Sequence, residues 1–365
     1  MNISTINFDS FQKLKDEDCQ ERIIKAKKIL GQDLLILGHH YQNEAVYRHA
    51  DFAGDSLKLA QHVQKVEAKY IVFLGVHFMA EVSDILSRDD QITILPDLSA
   101  GCSMADMANL AKVERTYREI SKVLDFDEKI TPVTYINSAA DLKAFCGEHQ
   151  GIVCTSTNAP KILDWAFKQK EKALFFPDQN LGRWTGYKMG IPLDKMPVWD
   201  PDLPLGGLTE KQIEESKILL WKGHCAVHQM FRVESIQDFK KHYPNGNVIS
   251  HPEAPFEVCK NSDLVGSTEF ILRTIEKADP GTEWLVGTEL NLVNRLAKEM
   301  KAEGKLVKFM SHVICECSTM ARIDPQHLAW TLESLIEDNP VNIIKVPEKE
   351  AGLARLTLDK MLEVS

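Results

Sequence analysis

The residues best suited to chemistry in this sequence are three cysteines that lie far apart along the chain. Cys102 lies in LSAGCSMAD, Cys225 in WKGHCAVH and Cys317 in CECSTMARID, each in a loop-like segment that contains small or polar residues. Thiolates from three separate segments suit an iron–sulfur cluster, which four cysteines normally hold. With three ligands, one iron keeps an open position and can act as a Lewis acid on a substrate oxygen.

The same segments also allow a zinc site. The chain has no CxxC pair, and both the CEC segment that ends at Cys317 and the CAVH segment from Cys225 to His228 contain zinc-binding residue types. From the residues alone, the identity of the metal therefore stays open. The other cysteines are expected to be small buried side chains and not a disulfide framework. They are Cys19, Cys146, Cys154, Cys259 and Cys315.

Three short turns rich in small and hydroxyl residues are candidates for binding an anion. The turns GDS, CTS and GST end at Ser56, Ser156 and Thr268, and each leads into a helical pattern. The free N–H groups and the positive dipole end of a helix N-terminus favour a carboxylate or phosphate. Each turn can also serve only as a helix cap. Their recurrence at matching places favours one shared anion site.

These turns belong to a longer internal repeat. In each part of the chain a strand-like run ends at a polar turn that contains His39, Asn137 or His251, and the hydroxyl turn follows at a similar interval. Another strand end and then a cysteine complete each part. The repeat predicts three related α/β units of ordinary domain size. Their predicted boundaries are 1–102 plus 318–365, 103–225 and 226–317.

The elements that must position these residues alternate between short apolar runs and amphipathic stretches. This alternation predicts βα units with parallel sheets that are covered on both faces. The predicted strands are Leu34–Leu37, Tyr70–Leu74, Ile92–Leu95, Val133–Ile136, Ile152–Cys154, Ala173–Phe176, Asn247–Ile249, Trp284–Val286 and Leu306–Phe309. The predicted helices are Ser56–Val66, Glu81–Leu86, Lys161–Lys170, Lys211–Trp221 and Asn291–Glu303. The proline-rich stretch 190–207 is predicted to be a surface loop.

Composition and charge exclude several classes of protein. Of the 365 residues, 44% are hydrophobic and 26% charged, which is ordinary globular usage. The net charge of −10 argues against a nucleic-acid partner, because backbone phosphates require basic surfaces. The polar, acidic N-terminal segment is not a secretory signal, and no apolar run reaches the ~18 residues of a membrane span. We therefore expect a soluble cytoplasmic protein without a membrane partner.

An ordered series of motifs resembles the quinolinate synthase family from about Leu34 to Asp324. The motifs are GHHYQ, ADFAGDSLKLA, GVHFMAE, AGCSMAD, YINS, CTSTNA, PDQNLG, GHCAVH, HPE, VGST and C-x-x-M-A. The resemblance implies three similar α/β/α domains with short parallel sheets around a pseudo-threefold axis, and an active site at the centre. It also implies a [4Fe-4S] cluster held by Cys102, Cys225 and Cys317. Many family members have CxxCxxC where this chain has CxC, and Cys317, three residues before Met320, matches the ligand position.

The resemblance further implies a reaction. Iminoaspartate and dihydroxyacetone phosphate condense to quinolinate, phosphate and water during NAD biosynthesis, with a functional link to L-aspartate oxidase. Glu253 is expected to be the general base, assisted by Tyr41 and His251. The implied substrate-binding residues are His39, Tyr41, Ser56, Tyr135, Asn137, Ser156, His251, Glu253 and Thr268. Four further histidines stay outside this prediction: His40, His77, His224 and His228.

Two other functions compete with this one. An iron–sulfur hydro-lyase for a different hydroxy acid would share the open iron but not the set of three hydroxyl turns. A non-enzymatic iron–sulfur redox sensor would signal through Cys259 and Cys315, two thiols that the cluster does not use. Such a sensor usually carries a basic or partner-binding surface, and the acidic composition argues against one.

Overall fold

Three small sheets form the framework of the protein. The computed structural model describes residues 6–365, so the first five residues of the predicted first unit lie outside the described part. The strands are β1 (Leu34–His39), β2 (Phe52–Gly54), β3 (Tyr70–Leu74), β4 (Ile92–Ile94), β5 (Ile130–Tyr135), β6 (Ile152–Cys154), β7 (Lys172–Phe176), β8 (Val198–Trp199), β9 (Ile218–Trp221), β10 (Asn247–Ser250), β11 (Leu264–Val265), β12 (Glu283–Gly287), β13 (Leu306–Phe309) and β14 (Ile343–Ile344).

Helices alternate with these strands and cover the sheets. They are α1 (Asp16–Leu30), α2 (Glu44–Tyr47), α3 (Ser56–Val63), α4 (His77–Leu86), α5 (Ser103–Asp106), α6 (Leu110–Ile120), α7 (Phe126–Lys129), α8 (Ala140–Glu148), α9 (Ala159–Gln169), α10 (Gln179–Lys188), α11 (Glu210–Glu215), α12 (Val233–His242), α13 (Phe256–Asn261), α14 (Thr268–Glu276), α15 (Leu290–Ala302), α16 (Pro325–Ile336) and α17 (Glu348–Val364). The α/β class is therefore confirmed.

The three sheets share one strand order. Each has four parallel strands in the order second, first, third, fourth: β2-β1-β3-β4, β6-β5-β7-β9 and β11-β10-β12-β13. β14 adds an antiparallel edge to the first sheet, and β8 adds a parallel edge to the second. In each sheet, the first and second strands end side by side, so the residues that follow them lie at one sheet edge. This common order agrees with the internal repeat; the pseudo-threefold arrangement stays a prediction.

The described chain divides into two compact units. The first runs to Cys102 and resumes over Glu316–Val346, and it contains the first sheet. The second comprises Ser103–Cys315 and Pro347–Ser365, and it contains the other two sheets. The division at 102/103 coincides with the predicted boundary, while the three-unit division stays a prediction.

The C-terminal segment differs from its predicted place. Residues 347–365 were expected with the first unit, but α17 packs against α8 and belongs to the second unit. The approach of the two helices is close at Gly147, where a Cβ atom would come within 2.4 Å of the carbonyl oxygen of Leu353. Buried side chains such as Ala354 and Leu358 complete the contact face of α17.

The predicted strands all form, but one predicted helix is wrong. The stretch Lys211–Trp221 contains the short helix α11 and then β9, which pairs in parallel with β7 and β8. All four residues of β9 are buried, so the run is continuously apolar and carries no helical period. Such a run is ambiguous in sequence, and its pairing with two neighbours decides its conformation. Within residues 6–365, none of the helices has the length and apolar character needed to cross a bilayer.

Candidate active site

In the first unit, predicted site residues gather where β1 and β2 end. His39 is the last residue of β1 and pairs with Gly54 of β2. The backbone N–H of Tyr41 donates to Nδ1 of His39 at 3.2 Å, and the two rings meet edge to face with centroids 4.7 Å apart. Ser56 begins α3, directly after its N-cap residue Asp55. The unit thus places a histidine, a tyrosine and a hydroxyl at one sheet edge.

In the second unit, Glu253 lies at the centre of a buried polar cluster. The hydroxyl of Tyr135 donates to Oε1 of Glu253 at 2.6 Å. Nδ1 of His228 lies 3.0 Å from Oε2 of the same carboxylate. His251 lies farther away, with Nδ1 4.0 Å from Oε1. All four side chains are buried.

Neighbouring groups fix this cluster in position. Nε2 of His228 lies 3.3 Å from Oγ1 of Thr288, and the rings of His228 and His251 have centroids 4.8 Å apart. The side-chain amide of Asn180 donates to the carbonyl oxygen of Glu253 at 3.2 Å. Tyr135 ends β5 and Glu253 follows β10, so the cluster joins the carboxyl ends of two parallel sheets, where α/β proteins bind their ligands.

The predicted catalytic and substrate-binding residues omitted His228 and Asn180, although the zinc alternative included His228. His228 was set aside as one of four histidines in loops, yet it is fully buried against Glu253. Its spacing from Cys225 was the available signal, because a cysteine and a histidine three residues apart can face one site. Asn180 gave no such signal beyond its place in the PDQNLG motif.

The charges in this cluster differ from those of isolated side chains. Burial lowers the pKa of His251 to about 3, so its imidazole is neutral at physiological pH. Burial alone would raise the pKa of Glu253, but the nearby His251 and His228 and the Tyr135 hydroxyl outweigh it and lower the pKa to about 2. Burial and the charge of Glu253 raise the pKa of Asp178 well above its usual value. Glu253 is therefore ionised at physiological pH.

The other predicted residues of the second unit lie at the same strand ends. Asn137 follows β5, and its Oδ1 is buried without a hydrogen-bond partner among residues 6–365. Ser156 follows β6 and lines a cavity of about 350 Å³ together with Ser267. An unpaired buried amide oxygen is costly unless a ligand or water satisfies it. Asn137 is therefore placed as a ligand-binding group would be.

Two of the three hydroxyl turns cap a helix, in each case through the residue before the predicted hydroxyl. The side chain of Asp55 caps α3, and that of Ser267 caps α14. Asn158 is the N-cap residue of α9, and its side chain makes no capping hydrogen bond. The alternative that the turns serve as helix caps therefore holds for GDS and GST, through Asp55 and Ser267, while Ser56 and Thr268 follow these caps as the first helical residues.

The cysteines separate into two groups that bear on metal binding. Cys102, Cys225 and Cys317 are half-buried, whereas the other five cysteines are buried. Burial raises the pKa of Cys19 to about 11 and that of Cys259 to about 12, and it raises the pKa of Cys146 and Cys154 as well. Because the thiolate is the metal-binding form, these four thiols are poor ligands.

The three half-buried cysteines are therefore the thiols whose exposure suits metal binding, and the group that they bind stays a prediction. Two of the half-buried thiols, Cys102 and Cys317, belong to the first unit, and Cys225 belongs to the second. Sγ of Cys317 also lies 3.5 Å from Oγ1 of Thr319. Accessible cysteine thiolates are the usual ligands of iron–sulfur clusters. Near Cys225, possible ligand atoms of Cys225, His228 and Glu253 lie within 4.8 Å of one another.

A wide cavity in the second unit opens beside this cluster. It has a volume of about 1060 Å³, and its lining includes Asn180, Arg183 and His224. A cavity of this size admits a small metabolite. Parallel sheets, a buried carboxylate with proton-donating neighbours and an adjacent cavity define an α/β enzyme that acts on small molecules.

Comparison with known proteins identifies the family. A family model described as "Quinolinate synthetase A protein" matches residues 21–363, and the chain belongs to this family. A relative from Herpetosiphon aurantiacus is 50% identical over 359 residues, covering 98% of this chain and 95% of the relative. Another from Acidobacterium capsulatum is 49% identical over 358 residues, covering 98% and 96%. A third from Bacillus cereus is 47% identical over 365 residues, covering 99% and 97%.

All three relatives are named quinolinate synthase. The family resemblance drawn from the motifs is thus confirmed, and the protein is an enzyme. The assignments of individual site residues stay predictions.

Proposed function

We propose that the protein is a quinolinate synthase of NAD biosynthesis. It would condense iminoaspartate with dihydroxyacetone phosphate and release quinolinate, phosphate and water. Membership of the quinolinate synthetase A family supports this activity. The observation that carries the chemistry is the buried Glu253 cluster at the carboxyl ends of two sheets, because a condensation with ring closure requires protons to be removed and returned.

Glu253 would act as the general base. Its carboxylate is ionised at physiological pH and is held through Oε1 by Tyr135 and approached at Oε2 by His228. Both neighbours limit the rotation of the carboxylate, so that it faces a bound substrate in one orientation. Tyr135 would also be able to return a proton through its hydroxyl. His251 is neutral and would donate or accept a hydrogen bond without adding charge.

The substrates carry carboxylates and a phosphate, and the hydroxyl turns would bind them. In the second unit, Asn137, Ser156 and Thr268 lie at strand ends or at the start of a helix, where backbone N–H groups also favour anions. In the first unit, His39, Tyr41 and Ser56 occupy the corresponding places.

We further propose that Cys102, Cys225 and Cys317 hold a [4Fe-4S] cluster. Their partial exposure, compared with the burial of the other cysteines, supports this ligand set. When bound, a cluster with three cysteine ligands supplies a Lewis-acidic iron for the loss of a hydroxyl. We place the enzyme in the cytoplasm and link it to L-aspartate oxidase as the source of iminoaspartate.

The test combines a metal count with an assay of quinolinate. Anaerobically purified protein should contain iron and sulfide and form quinolinate from iminoaspartate and dihydroxyacetone phosphate. Replacing Cys102, Cys225 or Cys317 by alanine should abolish both, whereas Cys19→Ala, at a buried thiol with a raised pKa, should abolish neither. Loss of iron in Cys19→Ala, or a full iron content in one of the other three variants, would refute the ligand set.

A further inference from the structure

Three side chains of metal-binding types lie together in the second unit, beside the proposed catalytic base. Ligand atoms of Cys225, His228 and Glu253 lie within 4.8 Å of one another. The side chain of His228 is fully buried, that of Glu253 is 4% exposed, and Cys225 is half-buried. The three come from two segments that tertiary packing brings together, and they offer nitrogen, oxygen and sulfur donors.

We propose that, when no cluster is bound, this chain binds one zinc ion through Cys225, His228 and Glu253. Thiolate, imidazole and carboxylate are the three side-chain ligands that zinc takes in proteins. With three protein ligands, the fourth tetrahedral position stays open to water. The inference concerns metal binding by the cluster-free chain and does not depend on which reaction the enzyme catalyses.

The observed separations are close to those a tetrahedral ion requires. Zinc lies roughly 2.0–2.2 Å from nitrogen or oxygen ligands and about 2.3 Å from sulfur, so adjacent ligand atoms are about 3.3–3.6 Å apart. Nδ1 of His228 and Oε2 of Glu253 are 3.0 Å apart, close to this range. All separations in the group are within 4.8 Å, so the ligand atoms need to approach by at most roughly 1.5 Å to reach this geometry. A side-chain rotation in the half-buried loop can supply that movement.

Hydrogen bonds from outside the group orient two of the ligands. Nε2 of His228 faces Oγ1 of Thr288 at 3.3 Å, so Nδ1 is the ring nitrogen that lies beside Glu253. Oε1 of Glu253 accepts from Tyr135 at 2.6 Å, which leaves Oε2 for the ion. Such outer contacts set ring orientation and ligand basicity in metal sites. The zinc site is therefore largely formed before the ion arrives.

Zinc at this site would exclude the iron–sulfur cluster. The two share Cys225, and one thiolate cannot complete both ligand sets. Zinc bound to the cluster-free chain should therefore block later assembly of the cluster, and removing a ligand that only zinc uses should relieve this block. His228 is such a ligand, because it is absent from the proposed cluster set.

Cobalt(II) is a suitable probe, since it replaces zinc and reports its ligands by absorption. Full-length protein purified in air should bind one Co²⁺ per chain, with a thiolate-to-cobalt charge-transfer band that Zn²⁺ abolishes. Cys225→Ser should lose the charge-transfer band. His228→Gln should weaken binding by about tenfold or more, because the glutamine amide can reach Thr288 but offers no donor at the Nδ1 position.

Two controls separate this site from other metal binding and from misfolding. His224→Gln changes a histidine beside Cys225 that does not belong to the group, and it should bind Co²⁺ as the wild type does. Thermal unfolding without metal should be cooperative for both the wild type and His228→Gln, with a lower midpoint for the variant, while zinc should raise the midpoint of the wild type only. Unchanged cobalt binding in His228→Gln, or its loss in His224→Gln, would overturn the proposal.

The competition between the two metals supplies an independent test. Wild-type protein saturated with Zn²⁺ should take up less iron and sulfide during anaerobic reconstitution, and His228→Gln should take up the normal amount under the same conditions. If zinc failed to reduce cluster assembly in the wild type, the shared use of Cys225 would be wrong. If neither protein assembled a cluster even without zinc, the proposed cluster ligands would be wrong. The cobalt-binding experiment would still test the zinc site independently.

Discussion

The glycine two residues before Cys225 offers a sharp test of how the chain positions this thiol. A Cβ atom at Gly223 would come within 2.3 Å of the carbonyl oxygen of Pro177 and 3.4 Å of Cβ of Met107. The loop is also fixed by a hydrogen bond from the backbone N–H of Gln179 to the carbonyl oxygen of Gly223 at 2.9 Å. Gly223→Ala therefore cannot be absorbed by rotation of a flexible side chain.

The size of the effect follows from this contact. An ordinary contact needs about 3.4 Å, so the backbone of the loop or of Pro177 must move by about 1 Å. Overpacking of this kind costs about 1–3 kcal/mol of stability. A displacement of about 1 Å at a site can also reduce catalysis by about two orders of magnitude. We expect Gly223→Ala to lower stability by that amount, to reduce the bound iron and to decrease quinolinate formation by about 100-fold.

The measurement is a urea unfolding curve together with an anaerobic iron count and a quinolinate assay. Gly352→Ala is the matched control, because Gly352 lies on α17 with no atom within 4 Å of its Cβ position. That variant should gain about 0.5–1 kcal/mol, since alanine favours the helix, and keep its iron. Wild-type stability, iron and activity in Gly223→Ala would refute the argument that this close approach positions Cys225.

Two further outcomes follow from the same physical reasoning. Tyr135→Phe removes a buried hydrogen bond to the charged Glu253 that is worth about 1.5–3 kcal/mol, so kcat should fall by about 10- to 150-fold. The control Tyr117→Phe removes an exposed tyrosine–carboxylate hydrogen bond and should leave kcat unchanged. Equal losses of kcat in the two variants would contradict a local role of Tyr135. Burial, together with nearby basic side chains, lowers the pKa of His49 from 6.5 to about 4. Between these values only the unfolded chain takes up the proton, so stability should fall as the pH drops from 6.5 to 4, and His49→Gln should flatten this slope in urea unfolding.

The exposure of the three proposed cluster cysteines could be predicted from the local sequence. Cys102, Cys225 and Cys317 were chosen from their loop context, and they are the three half-buried cysteines. Glycine and polar neighbours indicate a loop, and a loop gives exposure, so this property is encoded close to each residue. Whether they bind a single cluster depends on contacts between distant segments, and the ligand set stays a prediction.

The wrong helix prediction at Lys211–Trp221 arose because a short apolar run does not distinguish a strand from a helix. Four consecutive apolar residues at β9 fit a buried strand or a buried helical turn equally well. The strand forms because β7 and β8 offer backbone partners on both sides. The docking of α17 against α8 has a similar cause, since an amphipathic helix does not specify which surface covers its apolar face.

By itself, the sequence determined the α/β class, the predicted strands, the three repeated turns and the family, because all of these depend on the order and local spacing of residues. Only the tertiary structure decided that Tyr135 would donate to Glu253, 118 residues away, and that His228 would join them. Such contacts arise when buried polar groups must satisfy one another across packed sheets. The local spacing of residues does not predict such a long-range contact, so His228 was set aside with the other loop histidines.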